Sequence, residues 1–353
     1  MHSHEPSTLF VPGRLCLLGE HSDWAAELGQ HAGYCIVVGT DQGLGAQTSA
    51  CDKFVVESLV ADQDGRPTGR TRRMECPWSV EALLEAARDE YEFFRYCAGV
   101  AHQMFSQPGV KGGVEIRITR MDLPLRKGVS SSAAVCMLVA RAFDAVYGLR
   151  MFPHELMEVA YFGERLTGSQ CGRMDQACVY GKVPVLLTFQ KGERVRVEPV
   201  FCRRPVYLFF VDLAGSKDTV KILQSLQQAY PANEDLRQAL GPSNEGLARD
   251  GYAAITGGDP ARLGEIMNQA QANFDKSVAR HCPDELASPL LHQVLSLDGL
   301  WQFIYGGKCV GSGGDGTAQF VAQSSQARQD AMELIGRSFP QMRCFPLTID
   351  AQP

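Results

Sequence analysis

The stretch Leu123-Pro124-Leu125-Arg126-Lys127-Gly128-Val129-Ser130-Ser131-Ser132-Ala133-Ala134 decides how the rest of the chain is read. A loop carrying Gly and Ser runs straight into a strong helical pattern. Val135, Leu138, Val139, Ala142 and Val146 share its apolar face, and Gly148 supplies the stop. The first backbone N–H groups of such a helix have no intrahelical partner, and the helix dipole adds partial positive charge there. The junction reads as an anion or phosphate cradle, with serine hydroxyls able to reach a phosphate oxygen or a metal ion. The plainer alternative is an ordinary serine N-cap.

Working outward, Gly113–Arg120 alternates Val114, Ile116 and Ile118 with polar residues, the pattern of a half-buried strand. Ser79 suits the N-cap of a helix whose stripe runs through Val80, Leu83, Ala87, Tyr91, Phe94, Ala98 and Ala101. Asp62–Pro77 is polar, with Gly65, Pro67 and Gly69, and reads as a surface loop. Residues 10–60 alternate short apolar runs with turn residues, as strands and hairpins do. Downstream, Pro153 suits the first turn of a helix reaching about Thr167. Val185–Phe189 and Val206–Leu213 read as strands, Thr219–Ser296 as mainly helical, Ala318–Val321 as a strand and the region from Gln326 as a helix. Strands and helices mix without strict βαβ alternation, which predicts an α+β fold.

Two further segments carry chemistry. Pro12-Gly13-Arg14-Leu15-Cys16-Leu17-Leu18-Gly19-Glu20-His21-Ser22-Asp23-Trp24 is an apolar strand that ends in a tight polar cluster. Glu20, His21, Ser22 and Asp23 can accept and donate in fixed directions, which suits a ligand rich in hydroxyls; a polar turn with a local salt bridge is the alternative. Gly306-Gly307-Lys308-Cys309-Val310-Gly311-Ser312-Gly313-Gly314-Asp315-Gly316-Thr317 holds six glycines in eleven residues, more than one hairpin turn needs. In the helix after Pro153, Leu156, Ala160 and Glu164 fall on one face, so Glu164 projects from an apolar stripe and needs a cation or donors. Asp175 follows in Cys171-Gly172-Arg173-Met174-Asp175-Gln176. An ion pair with Arg165 or Arg173 is the structural alternative for these acids.

Composition narrows the field. The 353 residues, at roughly 150 per domain, allow about two domains. Hydrophobic residues at 45% support a sizeable core, and no apolar run reaches the roughly 18 residues of a membrane span. A net charge of -6 argues against a nucleic-acid surface. The 12 cysteines contain no CxxC pair, and no secretory signal precedes them, so reduced thiols and a cytoplasmic location are expected. His2 and His4 read as solvent-exposed residues of a polar terminus.

The three segments, in this order and at this spacing, resemble the three signature motifs of the GHMP kinases. The resemblance spans about Pro12 to Val321 and is nearest the galactokinase-like branch. That branch opens Pro-Gly-Arg and then Gly-Glu-His-Thr-Asp-Tyr, with Ser22 and Trp24 standing here for Thr and Tyr. Cys171–Gln176 is similar to its Cys-Gly-Ile-Met-Asp-Gln, with Arg173 for Ile. Gly163-Glu164-Arg165 is closer to mevalonate kinase. The resemblance implies a two-lobed α+β fold. Residues 1–200 would form an ATP-binding lobe like ribosomal protein S5 domain 2, and residues 201–353 a ferredoxin-like lobe. It implies transfer of the γ-phosphoryl group of ATP to a hydroxyl of a small metabolite.

Residue by residue, the resemblance makes Asp175 the carboxylate that orients the acceptor hydroxyl, with Arg14 beside it. Glu20, His21 and Asp23 would hold sugar hydroxyls. Gly128, Ser130, Ser131 and Ser132 would cradle the ATP phosphates, supported by Gly311, Gly313 and Gly314. Ser132 and Glu164 would coordinate Mg²⁺. The expected partners are a sugar and ATP, with neither nucleic acid nor membrane, in a monomer or homodimer. Arg126 and Lys127 replace glycines of the second motif, Asp315 replaces a small or apolar residue of the third, and Asp212–Thr219 departs from the galactokinase pattern. Two other readings stay open. One is a kinase of the same family for a non-sugar alcohol such as mevalonate or a polyol. The other is a sensor that binds sugar and nucleotide without turnover.

Overall fold

The computed structural model describes residues 7–61, 67–123 and 130–352. Along the chain come β1 (Ser7–Leu18), α1 (Ser22–Leu28), β2 (Gly33–Cys51), β3 (Lys53–Ala61), β4 (Pro67–Pro77), α2 (Val80–Arg88), α3 (Arg95–Phe105), β5 (Gly113–Met121), α4 (Ser131–Tyr147) and α5 (Pro153–Arg165). They are followed by β6 (Val185–Phe189), β7 (Arg196–Pro199), β8 (Val206–Asp212), α6 (Thr219–Ala229), α7 (Glu234–Gln238), α8 (Asn244–Gly257), α9 (Pro260–Ser277), α10 (Pro283–Leu286) and α11 (Pro289–Leu295). The chain closes on β9 (Ile304–Cys309), β10 (Thr317–Ala322), α12 (Ser325–Ser338) and β11 (Arg343–Ile349). The order is mixed α+β, as the pattern predicts.

The described residues form two compact units, 7–14, 39–61, 67–123 and 130–181 in the first and 15–38 and 182–352 in the second. In the first unit β3 pairs antiparallel with β4 and parallel with β5, and Leu44–Cys51 of β2 pairs antiparallel with β5. The helices cover one face of this sheet: Phe143 of α4 stacks on Phe54 of β3 at 6.1 Å and on Trp78 at 5.3 Å. Helices α3 and α5 cross where each has a glycine. A Cβ on Gly163 would lie 2.6 Å from the Val100 Cα, closer than any side chain tolerates, so glycine sets the approach that positions Glu164.

In the second unit Gly33–Val37 of β2 pairs with β6, which pairs with β7. A second sheet, antiparallel throughout, has the order β11-β8-β10-β9. Its core joins Phe209, Val211 and Phe320 to Leu226, Leu240 and Phe274 from the helices. The Phe209 and Phe320 rings stack at 4.9 Å across β8 and β10.

The helix expected to follow the serine-rich loop and stop at Gly148 runs Ser131–Tyr147, and Gly148 takes the left-handed conformation at φ 60° that stops it. Three readings change. The stripe after Ser79 is broken into α2 and α3 because Asp89 and Glu92 bond the backbone N–H groups of Tyr91 and Phe94, drawing the chain out of the helix. Pro67–Pro77 is not a loop but strand β4, in which Met74 and Cys76 turn inward on either side of the exposed Glu75; Asp62–Arg66 lies outside the described residues. Within the strand-like opening, Ser22–Leu28 is helical. Strands β7 and β11 carried no signal that the sequence reading used.

Candidate active site

In the first unit, β1 carries Arg14, and a short helical turn, Asp175–Tyr180, presents Asp175 at its first residue. The guanidinium donates to Asp175 Oδ1 through Nε at 3.1 Å and Nη2 at 2.5 Å. Arg14 is 3% exposed and Asp175 is 26% exposed, so the carboxylate is held from behind and remains open on another side.

Glu164 ends the buried stripe of α5 that also holds Leu156 and Ala160, and is 2% exposed. Gln176 donates to its Oε2 at 3.2 Å, and the Ser132 and Cys171 side chains also hydrogen-bond it. Burial first, and then the nearby Asp175 charge, push its pKa up to about 7 against these donors. The ion pairs raised from sequence take other forms: Arg165 donates to the Ser169 carbonyl at 3.0 Å, and Arg173 lies 3.8 Å from Glu158.

Ser130 sits at the N-cap position of α4 in a left-handed conformation, φ 59°, and makes no capping bond. Its hydroxyl is buried without a hydrogen-bond partner among the described residues. Ser131 and Ser132 begin the helix. Gly128, with Arg126 and Lys127, lies outside the described residues. An orphaned hydroxyl at an uncapped helix start fits an anionic oxygen. The hydrogen-bonded Ser132 and Glu164 offer two hard oxygen donors. Among the described residues no group of three or more His, Cys, Asp or Glu side chains forms a complete metal cage. A pair of oxygen donors of this kind suits Mg²⁺, which keeps waters and substrate phosphates as its other ligands.

The second unit carries the other cluster. Gly19 adopts φ 91°, and a Cβ there would fall 2.0 Å from the Tyr34 carbonyl oxygen, so only glycine makes this turn. His21 follows at φ 65°. The Trp24 indole N–H donates to His21 Nδ1 at 2.9 Å, so the neutral ring carries its proton on Nε2, which faces the Ser312 carbonyl at 3.3 Å. Asp23 is buried in the first turn of α1. Glu20 forms an ion pair with Lys308, both almost fully buried. Lys308 also donates to the Cys309 carbonyl at 2.9 Å. Burial works against its charge, but the Glu20 carboxylate outweighs it and Lys308 titrates above its ordinary range.

Gly311, Gly313 and Gly314 have φ of 66°, 81° and 73°, which only glycine adopts readily, while Gly306 and Gly307 lie in β9, where neighbouring groups leave no room for a Cβ. Lys217 donates to the Gly313 carbonyl at 2.7 Å, and Asp315 accepts from the Leu291 N–H at 3.0 Å. Asp315 is thus engaged with the start of α11. Sequence reasoning missed Lys308, Lys217, Gln176 and Asn244. Lys308 had a signal, a lone cation inside the glycine run. Asn244, which bonds the Glu20 carbonyl at 3.0 Å and the Ser22 hydroxyl at 3.2 Å, had none.

Residues 94–182 match the family profile described as the GHMP kinases N terminal domain. The fold agrees along its whole length. The Lactococcus lactis galactokinase complexed with galactose superposes with a TM-score of 0.72 at 17% identity, covering 99% of this chain and 95% of that one. The L. major mevalonate kinase in complex with R-mevalonate gives a TM-score of 0.72 at 16% identity, covering 99% and 98%. The chain is thus similar to the GHMP kinases, by profile over residues 94–182 and by fold over nearly its whole length.

Among curated relatives, the galactokinase of Roseiflexus sp. (strain RS-1) is 25% identical over 350 residues, 89% of this chain and 83% of that protein. The galactokinase of Actinobacillus pleuropneumoniae serotype 3 (strain JL03) is 26% identical over 201 residues, 56% of this chain and 44%, less than half, of that protein.

Proposed function

We propose that this chain is an ATP-dependent sugar kinase that transfers the γ-phosphoryl group to a hydroxyl, the anomeric one by its likeness to galactokinases. The observation that carries the reading is Asp175, gripped at Oδ1 by a buried Arg14 yet open to solvent. Such a carboxylate can accept a proton from an acceptor hydroxyl and orient its oxygen for attack. Arg14 adds positive charge where negative charge develops.

Residues 1–200 supply the nucleotide-binding lobe and 201–353 the C-terminal lobe in this reading. Gly128, Ser130, Ser131 and Ser132 receive the phosphates, and Gly311, Gly313 and Gly314 support nucleotide binding. Ser132 and Glu164 would hold Mg²⁺, which supplies neutralising charge for the phosphate oxygens. Glu20, His21 and Asp23 recognise the sugar. A carboxylate accepts through two oxygens, so the Lys308 bond at Glu20 Oε1 leaves Oε2 for a ligand hydroxyl.

The same pair favours one second reading, a non-sugar alcohol, because Lys308 cancels the Glu20 charge that would repel an anionic acceptor. The test is ADP release from ATP and Mg²⁺ against neutral sugars, uronic acids, polyols and mevalonate, with Asp175→Asn alongside. One neutral sugar giving turnover that Asp175→Asn abolishes is expected. Preference for mevalonate or a polyol overturns the sugar assignment. Saturable sugar binding without ADP release would instead make the chain a sensor.

A further inference from the structure

We propose that Lys308 is a positioning residue for the acceptor: it fixes Glu20 and ties the Gly19–Asp23 turn to the glycine-rich turn after β9. The inference rests on the sugar-kinase reading for its kinetic consequence.

The two side chains of an ion pair are buried here, Lys308 at 2% and Glu20 at 6% exposure. Desolvating such a pair costs about as much as the attraction returns, so it adds little net stability over apolar residues of the same shape. What the pair does provide is direction. Lys308 donates both to Glu20 and to the Cys309 carbonyl, at the last residue of β9. Cys309 is fixed in turn: its N–H donates to Gln271 Oε1 at 2.7 Å, and its carbonyl receives Gln319 Nε2 at 3.4 Å. The same Gln319 amide donates to the Cys16 carbonyl at 2.5 Å. On the other side Asn244 holds the Glu20 carbonyl and the Ser22 hydroxyl. Asn244 opens α8 straight after a π-helical turn, Ala239–Ser243, which sets the direction of its side chain.

The network therefore runs from β1 through the Glu20–His21 turn to β9 and β10, and its centre is Lys308. A second tie runs beside it, from His21 Nε2 to the Ser312 carbonyl, with the imidazole stacked on Phe274 at 6.1 Å. The cavity bordered by Lys308, Glu20, Asn244 and Asn273 holds about 10 Å³, room for about one water and not for a sugar. Lys308 thus acts through Glu20 and not by touching the acceptor.

The experiment compares Lys308→Met, Lys308→Arg and the double variant Glu20→Gln/Lys308→Met in the full chain, using the sugar that the panel above identifies. Lys308→Met is expected to raise the acceptor KM about 10- to 100-fold, with kcat and the KM for ATP within about threefold of wild type. Lys308→Arg should recover most of that loss. The double variant removes the unpaired buried charge, so it should regain melting temperature while its acceptor KM stays high. Acceptor KM unchanged in a variant that only melts earlier, or an equal rise in both KM values, overturns the proposal.

A second arm needs no substrate. Amide exchange in Gly19–Asp23 and Val310–Gly316 should speed up in the double variant while α4 keeps its protection. If the wild type turns over no sugar, the sugar-kinase reading fails by itself. Unchanged exchange in both turns sinks the positioning claim whatever the activity.

Discussion

Each unit of the chain holds a cation against a carboxylate, and the two pairs are built differently. Arg14 grips Asp175 with two nitrogens on one oxygen, and a quarter of the Asp175 surface remains open. Lys308 meets Glu20 with a point charge, and both residues are almost fully buried. A partly open carboxylate backed by a buried guanidinium is available for chemistry, whereas a closed pair holds a binding group in one fixed direction. Neighbouring groups show the same division. Beside Asp175 lie an uncapped helix start and a buried acid with a raised pKa. Around Glu20 there is a fixed network of amides and carbonyls.

The sharpest break in this comparison is expected from Asp175→Asn. The amide is nearly isosteric and can still accept from Arg14, so although the buried guanidinium loses its counter-charge, the fold should lose less than the roughly 3–5 kcal/mol of a fully broken buried pair. Loss of the base should lower kcat about 10²- to 10⁴-fold. Steady-state kinetics and a thermal melt on the same preparation check both halves. A large fall in melting temperature would make Asp175 a structural residue.

Glu20→Gln should behave in the opposite way. It leaves the Lys308 ammonium buried with no opposing charge, a loss of about 3–5 kcal/mol for a pair of this kind. Urea unfolding measures it against Arg14→Met, whose partner can turn to water and should cost less. Equal losses would erase the distinction between an open and a closed pair.

Glu164 adds a pH test. Its folded pKa of about 7 lies above the ordinary carboxylate value, so between roughly pH 4.5 and 7 the folded state holds a proton that the unfolded state has released. Stability from this group is therefore greatest below that window and falls as pH rises through it, by on the order of 3 kcal/mol in all. Melting curves from pH 5 to 8, without nucleotide or metal, should show a downward slope that Glu164→Gln flattens. A wild-type slope matching that of the variant would mean that water or a cation reaches the carboxylate.

Much of this was legible in the residues. The 3.6-residue stripe and Gly148 place α4, and alternation places β5, because both elements pack one face against a core. The Glu164 position on an apolar stripe reveals a buried acid, and the glycine run reveals backbone at positive φ. Partners were a different matter. Nothing in the spacing says that Lys308 turns to Glu20 across 288 residues, or that Asn244 closes on the same turn, since only the folded topology brings them together. The break between α2 and α3 was also hidden, because Tyr91 and Phe94 continue the stripe while Asp89 and Glu92 bond the backbone away from it.

The smallest expected effect separates two serines that read alike in sequence. Ser79 is an extended N-cap whose hydroxyl accepts from the Ala82 N–H at 3.2 Å. Ser130 holds the same position before α4 but is left-handed, and its hydroxyl is buried with no partner among the described residues. Ser79→Ala should therefore cost about 1 kcal/mol of stability and leave the KM for ATP alone. Ser130→Ala removes no capping bond and should leave stability nearly unchanged, or raise it slightly by deleting an unsatisfied hydroxyl. If a phosphate oxygen supplies the missing partner, the same change should raise the KM for ATP several-fold, as loss of a single hydrogen bond of about 1 kcal/mol does. Swapped outcomes, with Ser130 governing stability and Ser79 nucleotide affinity, would return the loop before α4 to the status of an ordinary helix cap.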